Sequence, residues 1–151
     1  TVVIRSPLVY GPSAPGNLAR LIKIINYGVP LPFGKLNNKR SIIGIDNLVD
    51  LIIKCIDHPD APGKTFLVSD DEDLSITMLV KLIASSMGQK ITLFSVPLSF
   101  LKILGFIIGK HKDIDKITSS LRVDITFTKT KLNWVPPISV KEGIKKIFQK
   151  Q

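Results

Sequence analysis

Short apolar segments typical of buried strands alternate with amphipathic helical segments along the whole chain. The strand-like segments are residues 1–5, 40–45, 64–69 and 91–96. Between them, apolar residues recur at the spacing of one helix face, as in Leu18, Leu21, Ile22 and Ile25. This alternation restricts the chain to an α/β or α+β fold, for which we predict three or four strands and about five helices.

Residues that begin and end helices separate these segments. We predict that Asn17, Asp46 and Ser75 are N-caps, because their side chains can accept hydrogen bonds from free N–H groups of the first turn. Gly28 and Gly88 follow apolar helical patterns and are predicted to end those helices, since glycine adopts the left-handed conformation without a steric penalty.

The chain has 151 residues, of which 44% are hydrophobic, with a single cysteine, Cys55, and two histidines. One cysteine cannot form an internal disulfide or a cysteine-based zinc site, and two histidines do not suggest a histidine-rich metal site. Cys55 lies on the predicted inner face of the second helix, so we interpret it as a core residue. Thr1 to Arg5 does not resemble a signal peptide and reads as a strand entered from an upstream segment. We therefore expect part of a longer protein.

The net charge of +9 is compatible with nucleic acid, an anionic membrane surface or a phosphorylated small molecule as partner. The lysines are dispersed, and neither an arginine-rich arm nor aromatic residues interleaved with basic ones suggest base stacking. We therefore predict no nucleic-acid partner.

The most apolar stretch, residues 93–109, is too short for a membrane-spanning helix and contains Lys102. We expect a helix that begins near Pro97 and packs on the core. The alternative is a helix on a membrane surface, with lysines facing lipid phosphates. Its apolar face would contain Phe100, Leu101, Leu104 and Ile107 or Ile108.

Two polar segments are interpreted as elements of local structure and not as functional sites. The acidic run 70–73 is interpreted as a solvated loop before a helix, in preference to a metal site. Ser139 and Glu142 have the spacing of a capping box, which predicts the start of the last helix. Arg122 and Asp124 are expected to pair or cap locally.

Five segments, in order, resemble motifs of the extended short-chain dehydrogenases/reductases of the NAD-dependent epimerase/dehydratase family. They are Arg5-Ser-Pro-Leu-Val-Tyr-Gly-Pro12, Asn17 followed by a helix, Leu31-Pro-Phe-Gly34, Arg40-Ser-Ile-Ile-Gly-Ile-Asp46, and the segment 124–136 ending in Leu-Asn-Trp-Val-Pro, which is followed by Ser139-Val-Lys-Glu-Gly143. The chain departs from these motifs at Ser41, Gly44 and Asn133; asparagine tolerates a left-handed helix end, so the last change is mild. The resemblance covers essentially the whole chain.

The resemblance implies the C-terminal part of such an enzyme: the last Rossmann strands and a small α/β substrate domain, without the N-terminal Rossmann half. It implies NAD as cofactor of the parent enzyme and a UDP-sugar as substrate of a cytoplasmic 4-epimerase. Pro7 would touch the nicotinamide ring, and no catalytic or metal-binding residue is implied. The substrate-binding residues implied are Asn17, Leu18, Leu31, Phe33, Arg40 and, in place of the family's second cation, Lys116.

Two motifs of the family do not occur in the 151 residues: the glycine-rich NAD loop and the Tyr-x-x-x-Lys pair, since Tyr10 is followed by Ala14 and Tyr27 by Leu31. We therefore expect residues 1–151 to form a single substrate-binding domain, a fragment of a longer epimerase that is inactive by itself. Three alternatives remain open: an epimerase of polyprenyl diphosphate-linked sugars at the membrane surface, a dehydratase or reductase sibling, and a non-catalytic binding module. Dimerisation through the uncovered apolar face is a further hypothesis.

Overall fold

The computed structural model describes residues 1–13 and 15–149. Its elements are β1 (Val3–Arg5), β2 (Leu8–Tyr10), α1 (Asn17–Asn26), β3 (Arg40–Gly44), α2 (Ile45–Asp57), β4 (Thr65–Leu67), β5 (Asp73–Leu74), α3 (Ile76–Ser86), α4 (Leu98–Ile107), α5 (His111–Thr118), α6 (Thr126–Leu132) and α7 (Val140–Gln149). β1 pairs in parallel with β4, and β2 pairs in parallel with β3, which lies between β2 and β5. The predicted α/β class is confirmed.

The chain divides into two compact units. Unit 1 contains Thr1–Ala14, Ser41–Asp73 and Arg122–Gln151, and unit 2 contains Pro15–Arg40 and Leu74–Leu121. The chain therefore leaves unit 2 within β3, directly after Arg40, and leaves unit 1 within β5, directly after Asp73.

Unit 1 has a continuous apolar core beneath the β1–β4 ladder and the inner face of α2. The buried members are Ile43, Leu51, Cys55, Ala61, Phe66, Val68, Ile125, Leu132 and Trp134. Burial raises the pKa of the Cys55 thiol, so this side chain is a packed apolar group and not a ready thiolate nucleophile. The prediction of a core cysteine is confirmed.

Unit 2 is mostly helical, with α1 packed on α3 and α4 packed on α5. The strand predicted over residues 91–96 is wrong, because the backbone forms two isolated bridges there, Leu31 to Leu93 and Phe33 to Ser95. Leu31 lies between Pro30 and Pro32, which have no N–H group to donate, so the pairing cannot extend into a ladder.

Some helix ends follow the sequence prediction and two do not. Ser75 accepts a hydrogen bond from the backbone N–H of Met78, as an N-cap does. Asn17 is instead the first residue of α1, after Gly16 at φ 101°. Asp46 is also not an N-cap, because β3 runs directly into α2 and Gly44 occupies the cap position. Asp46 instead forms an ion pair with Lys146 in the first turn of α2.

The C-terminal part of unit 1 follows its predicted caps. The backbone N–H of Ser139 donates to the Glu142 carboxylate at 3.2 Å, and the Ser139 hydroxyl accepts from the backbone N–H of Glu142 at 3.3 Å, which together form the capping box. The Ser139 hydroxyl also donates to the same carboxylate at 2.9 Å. The two hydrogen bonds that Ser139 donates to this carboxylate, first from its hydroxyl and then from its backbone N–H, hold the pKa of Glu142 below its usual value. Asn133 ends α6 in the left-handed conformation, at φ 45°.

The helix expected to pack on the core, α4, does so only along a narrow line. Leu101 and Gly105 are its buried residues, whereas the large side chains on its other face are exposed to solvent. That prediction is therefore wrong for most of the helix. Among residues 1–13 and 15–149, no helix combines the length and apolarity that a membrane span requires.

Candidate functional site

Arg40 and Lys116, the two predicted substrate-binding cations, meet in unit 2. A terminal nitrogen of the Arg40 guanidinium donates to the backbone carbonyl of Lys116, and also to the carbonyl of Ser119 at 3.4 Å and its hydroxyl at 3.2 Å. Arg40 thus lies at the C-terminal end of α5, where free carbonyls favour a cation. The guanidinium is half-buried, and the Lys116 side chain is exposed.

The residues before Arg40 fix this arrangement. The Asn38 side-chain amide donates to the carbonyls of Ile117 at 3.0 Å and Ser119 at 3.1 Å. The backbone N–H of Leu121 donates to the Lys39 carbonyl at 2.9 Å, next to the bridge between Arg40 and Leu121. Segment 38–40 and the end of α5 are therefore held together before any ligand binds.

A cavity of about 590 Å³ in unit 2 shares residues with this arrangement. Its lining residues are Lys35, Leu36, Asn37, Asn38, Ser95, Val96, Pro97, Leu98, Thr118 and Ser120. Amide, hydroxyl and ammonium groups stand beside an apolar wall there, which suits a polar organic ligand. Sequence reasoning missed this cavity because its walls come from three segments that are far apart in the chain.

The loop that contains Leu31 and Phe33 is rigid. Leu31 is buried and exchanges backbone hydrogen bonds with Thr92 and Phe94, each at 3.0 Å. A Cβ atom on Gly34 would lie 2.9 Å from the backbone of Phe94, so only glycine fits this approach. Phe33 is half-buried, and its carbonyl accepts a hydrogen bond from the Thr77 hydroxyl at 2.5 Å. Phe33 rather than Leu31 therefore retains an accessible side chain.

The remaining predicted residues lie at element ends. Asn17 is exposed at the start of α1, and Leu18 next to it is buried in unit 2. Pro7 lies in unit 1, between β1 and β2, and is half-buried. The exposed amide of Asn17 and the free N–H groups of the first turn of α1 form a second place in unit 2 that favours an anion.

A buried polar network in unit 1 was not predicted. The Tyr10 hydroxyl donates to Asp70 Oδ2 at 2.5 Å, and Asp70 also accepts from the Asn47 side chain at 2.7 Å and from the backbone N–H of Gly44 at 3.1 Å. Asp70 is 4% exposed, so the prediction of a solvated acidic loop is wrong at this residue. Burial, and then the hydrogen bond to Asp70, raise the pKa of Tyr10.

Two glycines make room for Tyr10. A Cβ atom on Gly44 would lie 3.1 Å from the Tyr10 hydroxyl oxygen, and one on Gly143 would overlap the same oxygen. This geometry explains why Gly44 occupies a position where the family motif has a bulky residue. The signal in the sequence was the coincidence of that departure with the Ser-x-x-Glu-Gly motif ending at Gly143.

The other departure from the motif, Ser41, belongs to a second network in unit 1. Its hydroxyl donates to Asp73 Oδ1 at 2.6 Å and accepts from the backbone N–H of Val123 at 2.8 Å. Asp73 also forms an ion pair with Arg122 at 2.7 Å. Asp124 accepts hydrogen bonds from the side chain and backbone of Thr126, which lower its pKa. The prediction that Arg122 and Asp124 pair or cap locally is confirmed.

Several of the known proteins that resemble this chain are UDP-sugar 4-epimerases. A UDP-glucose 4-epimerase of Vibrio cholerae is 43% identical over 149 residues, which are 98% of this chain and 45% of that protein. The solved UDP-glucose 4-epimerase of Thermotoga maritima superposes with a TM-score of 0.65 at 20% identity, over 97% of this chain and 44% of its own. The UDP-glucuronic acid 4-epimerase of Bacillus cereus, solved with NAD, gives 0.71 at 19% identity, over 98% and 43%. No family model matches the chain.

The chain thus has the fold of part of an extended short-chain dehydrogenase/reductase, as the five motifs predicted. It spans less than half the length of the proteins that it matches. Within that class, its sequence is closely similar to UDP-glucose 4-epimerase.

Proposed function

We propose that this chain is the substrate-binding part of an NAD-dependent nucleoside-diphosphate-sugar 4-epimerase, with a UDP-sugar as substrate. The observation that carries the proposal is the 43% identity to a UDP-glucose 4-epimerase over 98% of the chain. In support, the segments around Arg40, Phe33 and Asn17 form ordered, partly open places in unit 2. A cytoplasmic location is part of the same proposal.

The chemistry of unit 2 suits a diphosphate. The contacts of Arg40 with carbonyls occupy one terminal nitrogen of its guanidinium, and the fork has further donors that can bind phosphate oxygens. Lys116 would add a second positive charge, and the start of α1 with Asn17 would add amide donors. Phe33 would contact the base. Because hydrogen bonds hold Arg40 and Phe33 in the free chain, binding would require little ordering.

The residues of this chain do not fit NAD by themselves. The sequence has neither a glycine-rich phosphate loop nor a Tyr-x-x-x-Lys pair, and Pro7 is the one residue for which the family resemblance implies contact with the cofactor. The Tyr10 hydroxyl is unsuited to act as a base, because it is buried and donates to Asp70. In the proposed enzyme, the redox step would therefore depend on residues outside this chain, whereas this chain would bind and orient the sugar nucleotide.

The first test is isothermal titration of the 151-residue chain with UDP, UDP-glucose and UDP-N-acetylglucosamine, with ADP as a base control. We expect binding of UDP ligands that Arg40→Ala weakens by about ten-fold or more, because a charged hydrogen bond is lost. Arg5→Ala, an exposed arginine at the end of β1, is the matched control and should leave the affinity unchanged. Failure of a folded chain to bind UDP at millimolar concentration, or equal binding by Arg40→Ala, would contradict the proposal.

The second test concerns activity. The isolated chain should not interconvert UDP-glucose and UDP-galactose in the presence of NAD, because it lacks the motifs named above. Detectable turnover that scales with chain concentration would contradict this part of the proposal. Mass measurement by light scattering addresses the dimer hypothesis separately: a monomer at high concentration would count against it.

A further inference from the structure

The outward face of α4 consists of large apolar side chains that lie in solvent. Phe106 is 76% exposed, Ile107 73% and Phe100 67%, and the same surface continues with Ile103, Leu104 and Ile108, all more than half exposed. Water-facing helix surfaces are normally polar. A contiguous patch of this kind marks a surface that binds something.

The packing of α4 within unit 2 does not involve this face. Leu101 and Gly105 form the buried line of the helix, and Gly105 lies so close to α5 that an added Cβ atom would be 2.5 Å from Ile114 Cδ1. The absence of a side chain at Gly105 thus allows α4 to pack closely against α5. The outward residues are therefore not required to attach the helix to its own unit.

The segment that contains the apolar face has an excess of positive charge. Residues 98–118 contain Lys102, Lys110, Lys112 and Lys116, against Asp113 and Asp115. All of these charged side chains are exposed, and Asp115 lies 3.9 Å from Lys102. We call Lys102, Lys110 and Lys112 the lysine border of α4. Exposed lysines beside an apolar face with aromatic residues are typical of helices that lie in the interface of an anionic bilayer.

The charge of the α4–α5 segment favours an anionic lipid surface over another protein as the partner of α4. α2 also has an exposed apolar face, which contains Ile53 and Ile56, but its neighbouring charges are mainly acidic, with Asp46, Asp50 and Asp57 on the helix. An anionic bilayer would repel α2 and attract α4. The outward face of α4 also offers few polar groups, whereas protein interfaces have roughly one hydrogen bond per 100–200 Å².

We propose that the α4–α5 hairpin docks this protein on an anionic lipid surface. The outward face of α4 enters the boundary between headgroups and acyl chains, and Lys102, Lys110 and Lys112 contact lipid phosphates. This inference goes beyond the proposed epimerase function and does not depend on it.

The test is sedimentation of the 151-residue chain with vesicles of phosphatidylcholine containing 30% phosphatidylglycerol, and with vesicles of phosphatidylcholine alone. We expect binding to the anionic vesicles that exceeds binding to the neutral ones at least ten-fold and weakens as salt is raised. The double variant Lys110→Gln, Lys112→Gln should lose about five-fold per lysine. The double variant Phe106→Ser, Ile107→Ser should lose about 100-fold, because two large side chains no longer leave water.

The matched control is Ile53→Ser, Ile56→Ser on α2, which should leave vesicle binding unchanged. Circular dichroism of each variant checks that the exposed substitutions preserve the fold. Three outcomes would overturn the proposal: no binding to anionic vesicles, binding unaffected by Phe106→Ser, Ile107→Ser, or equal loss in the α2 control. If light scattering showed a dimer that only Phe106→Ser, Ile107→Ser converted to a monomer, this face would instead bind a second copy of the chain.

Discussion

Two helices of this protein, α2 in unit 1 and α4 in unit 2, each bury one face and expose large apolar side chains on another. The exposed large apolar residues of α2 are Ile45, Val49, Ile52, Ile53 and Ile56, and Ile56 is 74% exposed. Both helices therefore expose apolar side chains to solvent, α4 more strongly than α2. They differ in what lies beneath them and in the charges beside them.

Beneath α2 lies the core of unit 1 and a buried hydrogen-bond network, whereas beneath α4 lies mainly α5. Asn47 on α2 donates to Asp70 and to the carbonyl of Ile138, each at 2.7 Å, and accepts from the Ile138 N–H at 3.0 Å. The acidic neighbours of α2 have partners in unit 1, since Asp50 binds Trp134 and Asp46 binds Lys146. The comparison shows that exposed apolar area reveals a binding face, while the flanking charge indicates what it binds.

The largest effect should follow from removal of the carboxylate beneath α2. Asp70→Ala would leave the Tyr10 hydroxyl, the Gly44 N–H and the Asn47 amide without their acceptor, at about 1–3 kcal/mol for each buried group. We expect a loss of roughly 3–6 kcal/mol in the free energy of unfolding by urea, enough to unfold many domains. Asp71→Asn is the control: Asp71 lies at φ 60°, which asparagine tolerates, and its ion pair with Lys129 is solvent-exposed. Equal losses in both variants would contradict the role of Asp70.

The contrast between Asp70 and its neighbours shows which features were accessible from the sequence. Periodicity and caps predicted the strands β1, β3 and β4, the helix that Ser75 opens and the capping box at Ser139, because these depend on residues close in the chain. The motif resemblance predicted the fold. Asp70 looked like any residue of an acidic run, since its partner Tyr10 is 60 residues away and only the fold brings them together.

The candidate site shows the same division. Arg40 was singled out by its motif, but its contacts with the end of α5 depend on a segment 76 residues further on. The prediction that α4 packs on the core was wrong for a related reason. An apolar helix normally packs inward, but the local sequence does not show how many residues from other segments are available to cover it. The prediction that Asn17 is the N-cap was also wrong, because Gly16 occupies the N-cap position of α1.

The second prediction compares the buried faces of the two helices directly. Leu51→Ala on α2 and Leu101→Ala on α4 remove the same atoms, from side chains that are 0% and 4% exposed. Each should cost about 2–4 kcal/mol. Amide hydrogen exchange should show global destabilisation of unit 1 for Leu51→Ala, but faster exchange mainly in α4 and α5 for Leu101→Ala, because α4 is attached along one narrow line. Uniform acceleration in both variants would show that α4 is as deeply anchored as α2.

The third prediction tests whether the acidic border of α2 serves the fold. Asp50 accepts a hydrogen bond from the indole N–H of Trp134 at 2.7 Å, and Trp134 is buried. Asp50→Ala should therefore lower the free energy of unfolding by about 1–2 kcal/mol, since the buried donor loses its partner. Asp57→Ala, an exposed acid in the last turn of the same helix, should have little effect. No loss in Asp50→Ala would remove the structural explanation of this acidic border.

The smallest effect on stability is expected at the lysine border of α4. Lys102 lies 3.9 Å from Asp115, and both side chains are more than half exposed, so water and salt screen their attraction. Lys102→Gln should change the free energy of unfolding by less than about 0.5 kcal/mol in urea titration, yet reduce binding to anionic vesicles about five-fold. Asp115→Asn, the matched control, removes the same ion pair but should strengthen vesicle binding. If Lys102→Gln instead destabilised the protein as much as Asp50→Ala does, the lysine border would be part of the fold, and its charge would no longer distinguish α4 from α2.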